Sequence, residues 1–346
     1  MDIAGKTLWQ VGAGDTQRRY DDICIKFDVM LAGPGGRGAY DEALYSDLPD
    51  IRNSLRRFWT EAKKGEPVLL RMGTGSVVAV GEIEDDEPVM CEAFADVDGW
   101  ELQHTRRVRW FPNTSKEFPP RTLGAQARTF AAVNVDGVKE WVATLDIPKA
   151  DRARELKALP GDGKELTIDE LGVKLFTKGL AGEQVDRLVN VFSSLQRVAS
   201  WYSTESESLN GRPSENETVC YLVVPFLLSL GWSQQTMAVE WKSIDVALFS
   251  SMPPQDDTLA CVVEAKLLGR SVFRAFEQAQ EYACRAGRDH CGRLVLTDGI
   301  RYGLYDRADD EFELAAYLNI LQLRESYPAL DCGGAVEAIL GMAKRT

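Results

Sequence analysis

The sequence predicts an α/β (α+β) chain of several domains: a small β-rich front, a helical middle, and a back in which strands alternate with helices. Three patterns carry that expectation. Over residues 1–112, short apolar or alternating runs are cut by glycine-rich turns, as in a small, curved or barrel-like β domain. From Asp151 to Tyr202 the apolar spacing turns helical. From residue 212 onward a helix, two apolar runs, a second helix and an Asp-Gly-jointed pair of runs follow one another. At 346 residues the chain has room for two or three cores.

In the front, Trp9 to Asp15 reads as a strand entering a glycine turn, and Ile23 to Ala32 as a second apolar run. The loop Gly33-Pro34-Gly35-Gly36-Arg37-Gly38 lacks the GxxxxGK[ST] spacing of a phosphate cradle, as does the rest of the chain, and reads as a flexible loop. Residues 48–64 read as a helix; residues 67–71, 76–83 and 102–110 read as strands. The stretches Gly73 to Glu82 and Asp96 to His104 resemble a PUA-like fold of the EVE/YTH kind. That resemblance implies an aromatic-lined pocket for a flipped, modified base. Trp9, Trp59, Trp100 and Trp110 could supply stacking planes, with Asp98, Gln103 and His104 offering polar edges. For any single tryptophan, a place in the core is the simpler expectation.

Residues 113–211 read as a connector. A Pro/Ser-rich linker at 113–121 leads to residues 130–145, a strand–turn–strand or short helix around Asp136-Gly137. Helices are expected over 152–159, 168–178 and 182–202, and a polar hinge over 203–212. In the third helix Val185, Leu188, Val189, Phe192, Leu195 and Val198 form one apolar stripe, expected to dock on a neighbouring domain or to pair two chains.

The back, 212–346, holds the chemistry. Ile244 to Phe249 and Leu259 to Lys266 look like neighbouring buried strands, yet they carry Asp245, Glu264 and Lys266. An unpaired buried carboxylate costs several kcal/mol, so such groups usually pair or hold a metal. Glu264 and Lys266, two apart, share a strand face; with Asp245 across from them they would make a divalent-cation site with a lysine beside it. Upstream, Ser214 with Glu217 is a capping-box signature opening a helix that also carries Glu215. Downstream, Gln278 and Tyr282 lie four apart on an amphipathic helix over 273–286, and residues 294–305 read as strand, Asp-Gly turn, strand. Residues 333–344 read as a short amphipathic helix on the same core.

This order of parts resembles the PD-(D/E)xK nuclease superfamily, and in particular the nuclease domain of type I restriction enzyme motor subunits. The matching residues are Glu215, Thr218, Pro225, Leu227, Leu230, Gly231 and Trp232; Glu264-Ala265-Lys266; Gln278-Ala279 and Tyr282-Ala283; and Thr297-Asp298-Gly299. The likeness spans roughly residues 212–320, and Ile244 stands where the superfamily motif has its proline. It implies a restriction-endonuclease-like mixed sheet flanked by helices and a Mg²⁺- or Mn²⁺-dependent DNA endonuclease. Asp245, Glu264, the Ala265 carbonyl and Glu215 would hold the metal, with Glu217 as the fallback for Glu215. Lys266 would orient water or neutralise charge, and Gln278 and Tyr282 would position the helix and touch the DNA backbone.

Composition narrows the classes. Hydrophobic content of 45% and charged content of 27% describe an ordinary soluble globular chain. No apolar run is long enough for a membrane span and no signal peptide opens the chain. Seven scattered cysteines without a CxxC pair suit a reducing cytoplasm. Only His104 and His290 exist, which disfavours histidine-based zinc or triad chemistry. A net charge of −13 argues against a generic nucleic-acid coat, leaving two local clusters for DNA: Arg106, Arg107 and Arg109, and Arg270, Arg274, Arg285 and Arg288. Three function classes follow: a modification-dependent restriction or anti-phage endonuclease acting as a homodimer; a nuclease subunit served by a separate ATPase; and an inactive nucleic-acid-binding or sensing module.

Overall fold

In the computed structural model the described residues are 1–14, 18–124, 129–204, 213–309 and 311–344, the side chains of 203 and 204 excepted. Of the expected hinge at 203–212, residues 203 and 204 end the helix Gly182–Thr204 and the rest lies outside the described residues. The chain divides into two compact units, Met1–Asp162 and Gly163–Thr346, each a mixed α/β unit built on its own sheet. That division runs through the stretch read as a connector, because its parts bury their apolar faces in different cores.

In the first unit the strands are β1 (Trp9–Gly12), β2 (Val29–Ala32), β3 (Pro67–Met72) and β4 (Ser76–Ile83), followed by β5 (Val89–Met90), β6 (His104–Phe111), β7 (Lys116–Glu117) and β8 (Phe130–Ala132). The main path runs β2-β6-β4-β3-β1-β8; only β1 and β3 pair in parallel. Residues 130–145 resolve into β8 on the sheet edge and the helix Asp136–Thr144, whose Val138 and Val142 join Leu8, Leu69 and Val80 in the core. The apolar run at 23–32 splits: the helix Asp21–Phe27 stops at Asp28, in the left-handed region at φ 52, and β2 follows. Asp28 also explains why no helix forms over 152–159. Its buried carboxylate accepts two bonds of 2.6 Å from Arg154 and one of 3.0 Å from the Lys157 amide, so the chain turns extended after the short helix Lys149–Ala153. A buried two-point ion pair outweighs the few tenths of a kcal/mol per residue of helix propensity.

In the second unit the strands are β9 (Met237–Trp241), β10 (Ile244–Phe249), β11 (Leu259–Ala265) and β12 (Arg293–Thr297), then β13 (Arg301–Ala308), β14 (Glu311–Asn319), β15 (Ser326–Tyr327) and β16 (Cys332–Gly333). Their order is β15-β16-β14-β13-β12-β11-β10-β9, with β11/β12 and β14/β16 parallel and the other pairs antiparallel. One sheet face buries Val246, Val263 and Val295 under helices that include Gly182–Thr204 and Ala335–Met342. The opposite face buries Ala247, Val262 and Leu294 under Phe276–Ala283, through Ala279 and Ala283.

The stripe of the Gly182–Thr204 helix is not a seam between chains. Leu188, Phe192 and Leu195 are buried in this unit's own core with Leu222, Phe226 and Leu230, and Phe192 packs edge-to-face on Phe226. The homodimer expectation loses its proposed interface, because the stripe has its partner in a helix that follows it in the same chain. No helix among the described residues is long and apolar enough to cross a membrane.

Candidate active site

β10 and β11 pair antiparallel with Val246 opposite Val263, so one step further Asp245 stands opposite Glu264. The strands are apolar because both faces of the sheet are covered, and this places Asp245 and Glu264 at the rim of a core. Asp245 is anchored: its Oδ2 accepts the Ala265 amide at 2.7 Å. Glu264 is not. It is fully buried, and no donor meets either carboxylate oxygen in hydrogen-bond geometry; its close polar neighbour is Asp245, whose carboxylate is itself an acceptor. Burial, reinforced by the nearby Asp245 charge, pushes its pKa up to about 8. A buried carboxylate that no donor meets is the feature a cation would complete.

Lys266 sits one residue beyond β11, where it joins the layers on both sides of the sheet. Its Nζ lies 3.7 Å from Glu215 Oε1 and donates to Gln278 Oε1 at 3.3 Å; Gln278 Nε2 in turn donates to Tyr282 Oη at 3.2 Å. Glu215 opens the helix Glu215–Thr218, which continues through a wide π-helical turn, Val219–Val223, into Val224–Ser229. Glu217 cannot share that role: with Ser214 it closes the capping box, accepting the Ser214 amide at 2.8 Å while its own amide donates to Ser214 Oγ. The six residues expected to act together thus form two linked groups, Asp245 with Glu264, and Glu215, Lys266, Gln278 and Tyr282. Glu215 stands with the lysine rather than with the two carboxylates. Among the described residues no three His, Cys, Asp or Glu side chains gather into a metal-binding group. That leaves Asp245 and Glu264, opposite each other on neighbouring strands, as the pair of carboxylates at this end of the sheet.

The first arginine cluster serves the fold, and so does Arg288 of the second. Arg106 is fully buried, paired with Asp85 at 2.9 Å and donating to the carbonyls of Phe58 and Ala62; Arg109 pairs with Glu84 at 2.6 Å. Arg288 is buried against Asp256 at 2.8 Å. Arg270 and Arg274 are exposed, and Arg285 lies over the Tyr282 ring at 4.5 Å.

The base-reading residues expected in the first unit do not converge. Trp9 is core, stacked on Phe130 at 4.9 Å with its indole N–H donating to Glu66. His104 is fully buried among Tyr45, Trp59 and the Pro34 carbonyl, each at 3.1 Å, and burial pushes its pKa down to about 4. Gln103 is buried against Gly35, and Asp98 is buried near Arg18 at 3.9 Å. Trp59 and Trp110 are likewise held internally, donating to His104 and to the Val29 carbonyl. Trp100 lines a cleft, of about 510 Å³, together with Tyr20, Arg71, Glu101 and the backbone of Gly12 and Gly99. Arg71 was missed by sequence reasoning; its one signal is a charge ending the apolar run of β3. Compared with protein-family models and with curated proteins, the chain matches none.

Proposed function

We propose that the chain is a metal-dependent DNA endonuclease whose centre is Asp245, Glu264 and Lys266. The observation that carries this is Glu264: a fully buried carboxylate with no donor to either oxygen, opposite Asp245 and two residues from a lysine. The Asp245 and Glu264 carboxylates, with the Ala265 carbonyl, would hold Mg²⁺ or Mn²⁺ as hard oxygen donors. When bound, such an ion supplies Lewis-acid polarisation of a phosphodiester and a lowered pKa for water. Lys266 neutralises charge developing on the scissile phosphate. Gln278 aims the ammonium, Tyr282 braces Gln278, and Glu215 balances the lysine's charge from the opposite layer. Arg270 and Arg274, both exposed, suit contacts with the DNA backbone.

The Trp100 cleft supports a modification-dependent form of this reading, as part of a cytoplasmic restriction or anti-phage system, because an aromatic wall beside polar groups suits an extruded base. A site of this kind addresses one phosphate, so double-strand cleavage calls for two copies, through a surface other than the Gly182–Thr204 stripe. The test is digestion of plasmid DNA, with and without cytosine or adenine modification, in Mg²⁺ or Mn²⁺. Cleavage by the native chain and none by Lys266→Ala is expected; equal cleavage by both rejects the site. Cleavage only with an added ATPase makes the chain a subunit, and salt-dependent DNA binding without cleavage makes it a sensing module.

A further inference from the structure

We propose that the turn Thr297-Asp298-Gly299 is the joint that positions the Lys266 end of the site: Thr297 and Asp298 fasten the loop that Lys266 opens, and Gly299 seats the helix that Glu215 opens. Its catalytic consequence rests on the nuclease reading above; its mechanical content does not. β11 and β12 run parallel and end level, with Ala265 paired to Thr297. The ladder continues one step past the strand, where the Lys266 amide donates to the Thr297 carbonyl at 2.8 Å. Thr297 Oγ1 also accepts the Gly299 amide at 2.9 Å, which tightens the turn itself.

Asp298 is fully buried and acts in two directions. Its Oδ1 accepts the amides of Ile300 and Arg301 at 3.1 and 2.8 Å, fixing the start of β13. Its Oδ2 accepts the Gly269 amide at 3.0 Å and pairs with Arg301 Nη1 at 2.7 Å. The segment that leaves the sheet at Lys266 is therefore held at both ends, by the Thr297 carbonyl and by the Asp298 carboxylate. A loop pinned twice within four residues has little freedom to redirect its first side chain.

Gly299 does the second job by lacking a side chain. A Cβ there would stand 2.7 Å from Leu222 Cδ1 and 2.9 Å from Thr218 Cγ2, and its φ of +89° favours glycine on its own account. Thr218 and Leu222 lie on the helical segment that Glu215 opens. One turn thus seats the Glu215 helix and pins the Lys266 loop, which places the two charges 3.7 Å apart. A plain Asp-Gly hairpin needs only the bonds to residues 300 and 301 and a glycine free to take positive φ. It needs neither the bonds to Lys266 and Gly269 nor the close approach to Thr218 and Leu222.

Two variants test the joint in the full-length protein. Asp298→Asn keeps the shape but replaces one acceptor oxygen by an NH₂ group, which cannot accept the Gly269 amide. With the amide oriented so that its oxygen still serves Ile300 and Arg301, kcat for DNA cleavage should fall on the order of 10²-fold. KM and calorimetric Mn²⁺ affinity should stay within about threefold, and hydrogen exchange should speed up at Gly269 and Lys266 but not in β11 and β12. Gly299→Ala should lower kcat similarly, because the added methyl would meet Leu222 Cβ at 2.8 Å and Thr218 Cγ2 at 2.9 Å and so push the Glu215 helix away from the turn. Unaltered exchange at Gly269 in Asp298→Asn overturns the proposal, as does a kcat loss no larger than the loss of folded protein. If the native chain cuts no DNA under any condition, the nuclease reading fails, while the exchange measurement still decides whether the turn holds the loop.

Discussion

His104 in the first unit and Glu264 in the second are both titratable, both fully buried and both on strands, and they meet opposite fates. His104 has a full partner set. Nδ1 accepts the Trp59 indole N–H, which leaves the proton on Nε2, facing the Pro34 carbonyl and the Tyr45 hydroxyl. Glu264 has no donor for either oxygen. A satisfied buried polar group specifies a core, whereas an unsatisfied one stores a free-energy cost that a ligand can remove. The contrast turns a residue first read as a base contact into a structural one, and it is the ground on which we propose the carboxylate as a cation ligand.

Breaking the contrast at its functional end should give the largest effect. Glu264→Gln should reduce Mg²⁺-dependent cleavage by about 10³-fold or more, the scale of several kcal/mol of lost electrostatic stabilisation. The same variant, melted without metal at pH 8, should be at least as stable as the native chain, since a neutral amide replaces a desolvated acid. A clear loss of metal-free stability would mean that Glu264 has partners and is a structural residue like His104.

A second carboxylate that no donor meets, with no ligand to complete it, is the matching control. Phe192→Glu puts one into the core of the second unit, and should cost several kcal/mol and unfold that unit rather than yield a folded monomer. Circular dichroism and sedimentation distinguish the two results. At the other end of the contrast, His104→Ala strands the Trp59 N–H, leaves Tyr45 its Pro34 and Gly38 carbonyls, and opens a cavity, for a loss of about 3 kcal/mol read from denaturant midpoints. Mn²⁺ binding should not change, and a matching loss of metal affinity would contradict the division of roles.

The two groups should also respond to pH with opposite signs. His104 titrates near 6.5 when unfolded and at about 4 when folded, so the unfolded chain binds the extra proton between those values. Its contribution is present above pH 6.5 and is lost as pH falls toward 4, on the order of 3 kcal/mol. Glu264 titrates near 4.5 unfolded and at about 8 folded, so the metal-free folded chain keeps a proton that the unfolded chain has released. Its contribution is greatest below pH 4.5 and declines as pH rises toward 8, by on the order of 5 kcal/mol. Segment-resolved hydrogen exchange across pH 4–8 without metal should therefore show acid loosening around β6 and alkaline loosening around β11. Added Mn²⁺ should abolish only the second, and the same trend at both places would remove the basis for the comparison.

The smallest expected effect separates two neighbouring glutamates. Glu217→Ala should cost about 1 kcal/mol of stability through the lost helix cap and leave cleavage nearly intact. Glu215→Ala should cost little stability and slow cleavage, because its partner is Lys266. The reverse order would exchange their roles.

Much of the second unit was legible in the chain because periodicity and chemistry agree there. Asp245, Glu264 and Lys266 interrupt otherwise apolar strands, and the two-residue pleat dictates that Glu264 and Lys266 share a face. Ser214 with Glu217 announced a helix start, and the capping box is present. The Asp-Gly signal marked the β12–β13 turn. These are short-range rules, and short-range rules are what a sequence states directly.

What the tertiary structure decided are the matters of partnership between distant residues. Composition marked Trp9, Gln103 and His104 as polar or aromatic groups able to face a ligand; only packing shows them turned inward, with Phe130, Gly35 and Trp59 as their neighbours. An apolar stripe on the Gly182–Thr204 helix looks the same whether it meets Phe226 of its own chain or a second copy. Arg154 reads as one residue of a helix until Asp28, 126 positions earlier, draws it out of one. A side-chain type and its local spacing determine what a residue can bind; which group it does bind is set by long-range packing, where burial makes each unmet hydrogen bond expensive.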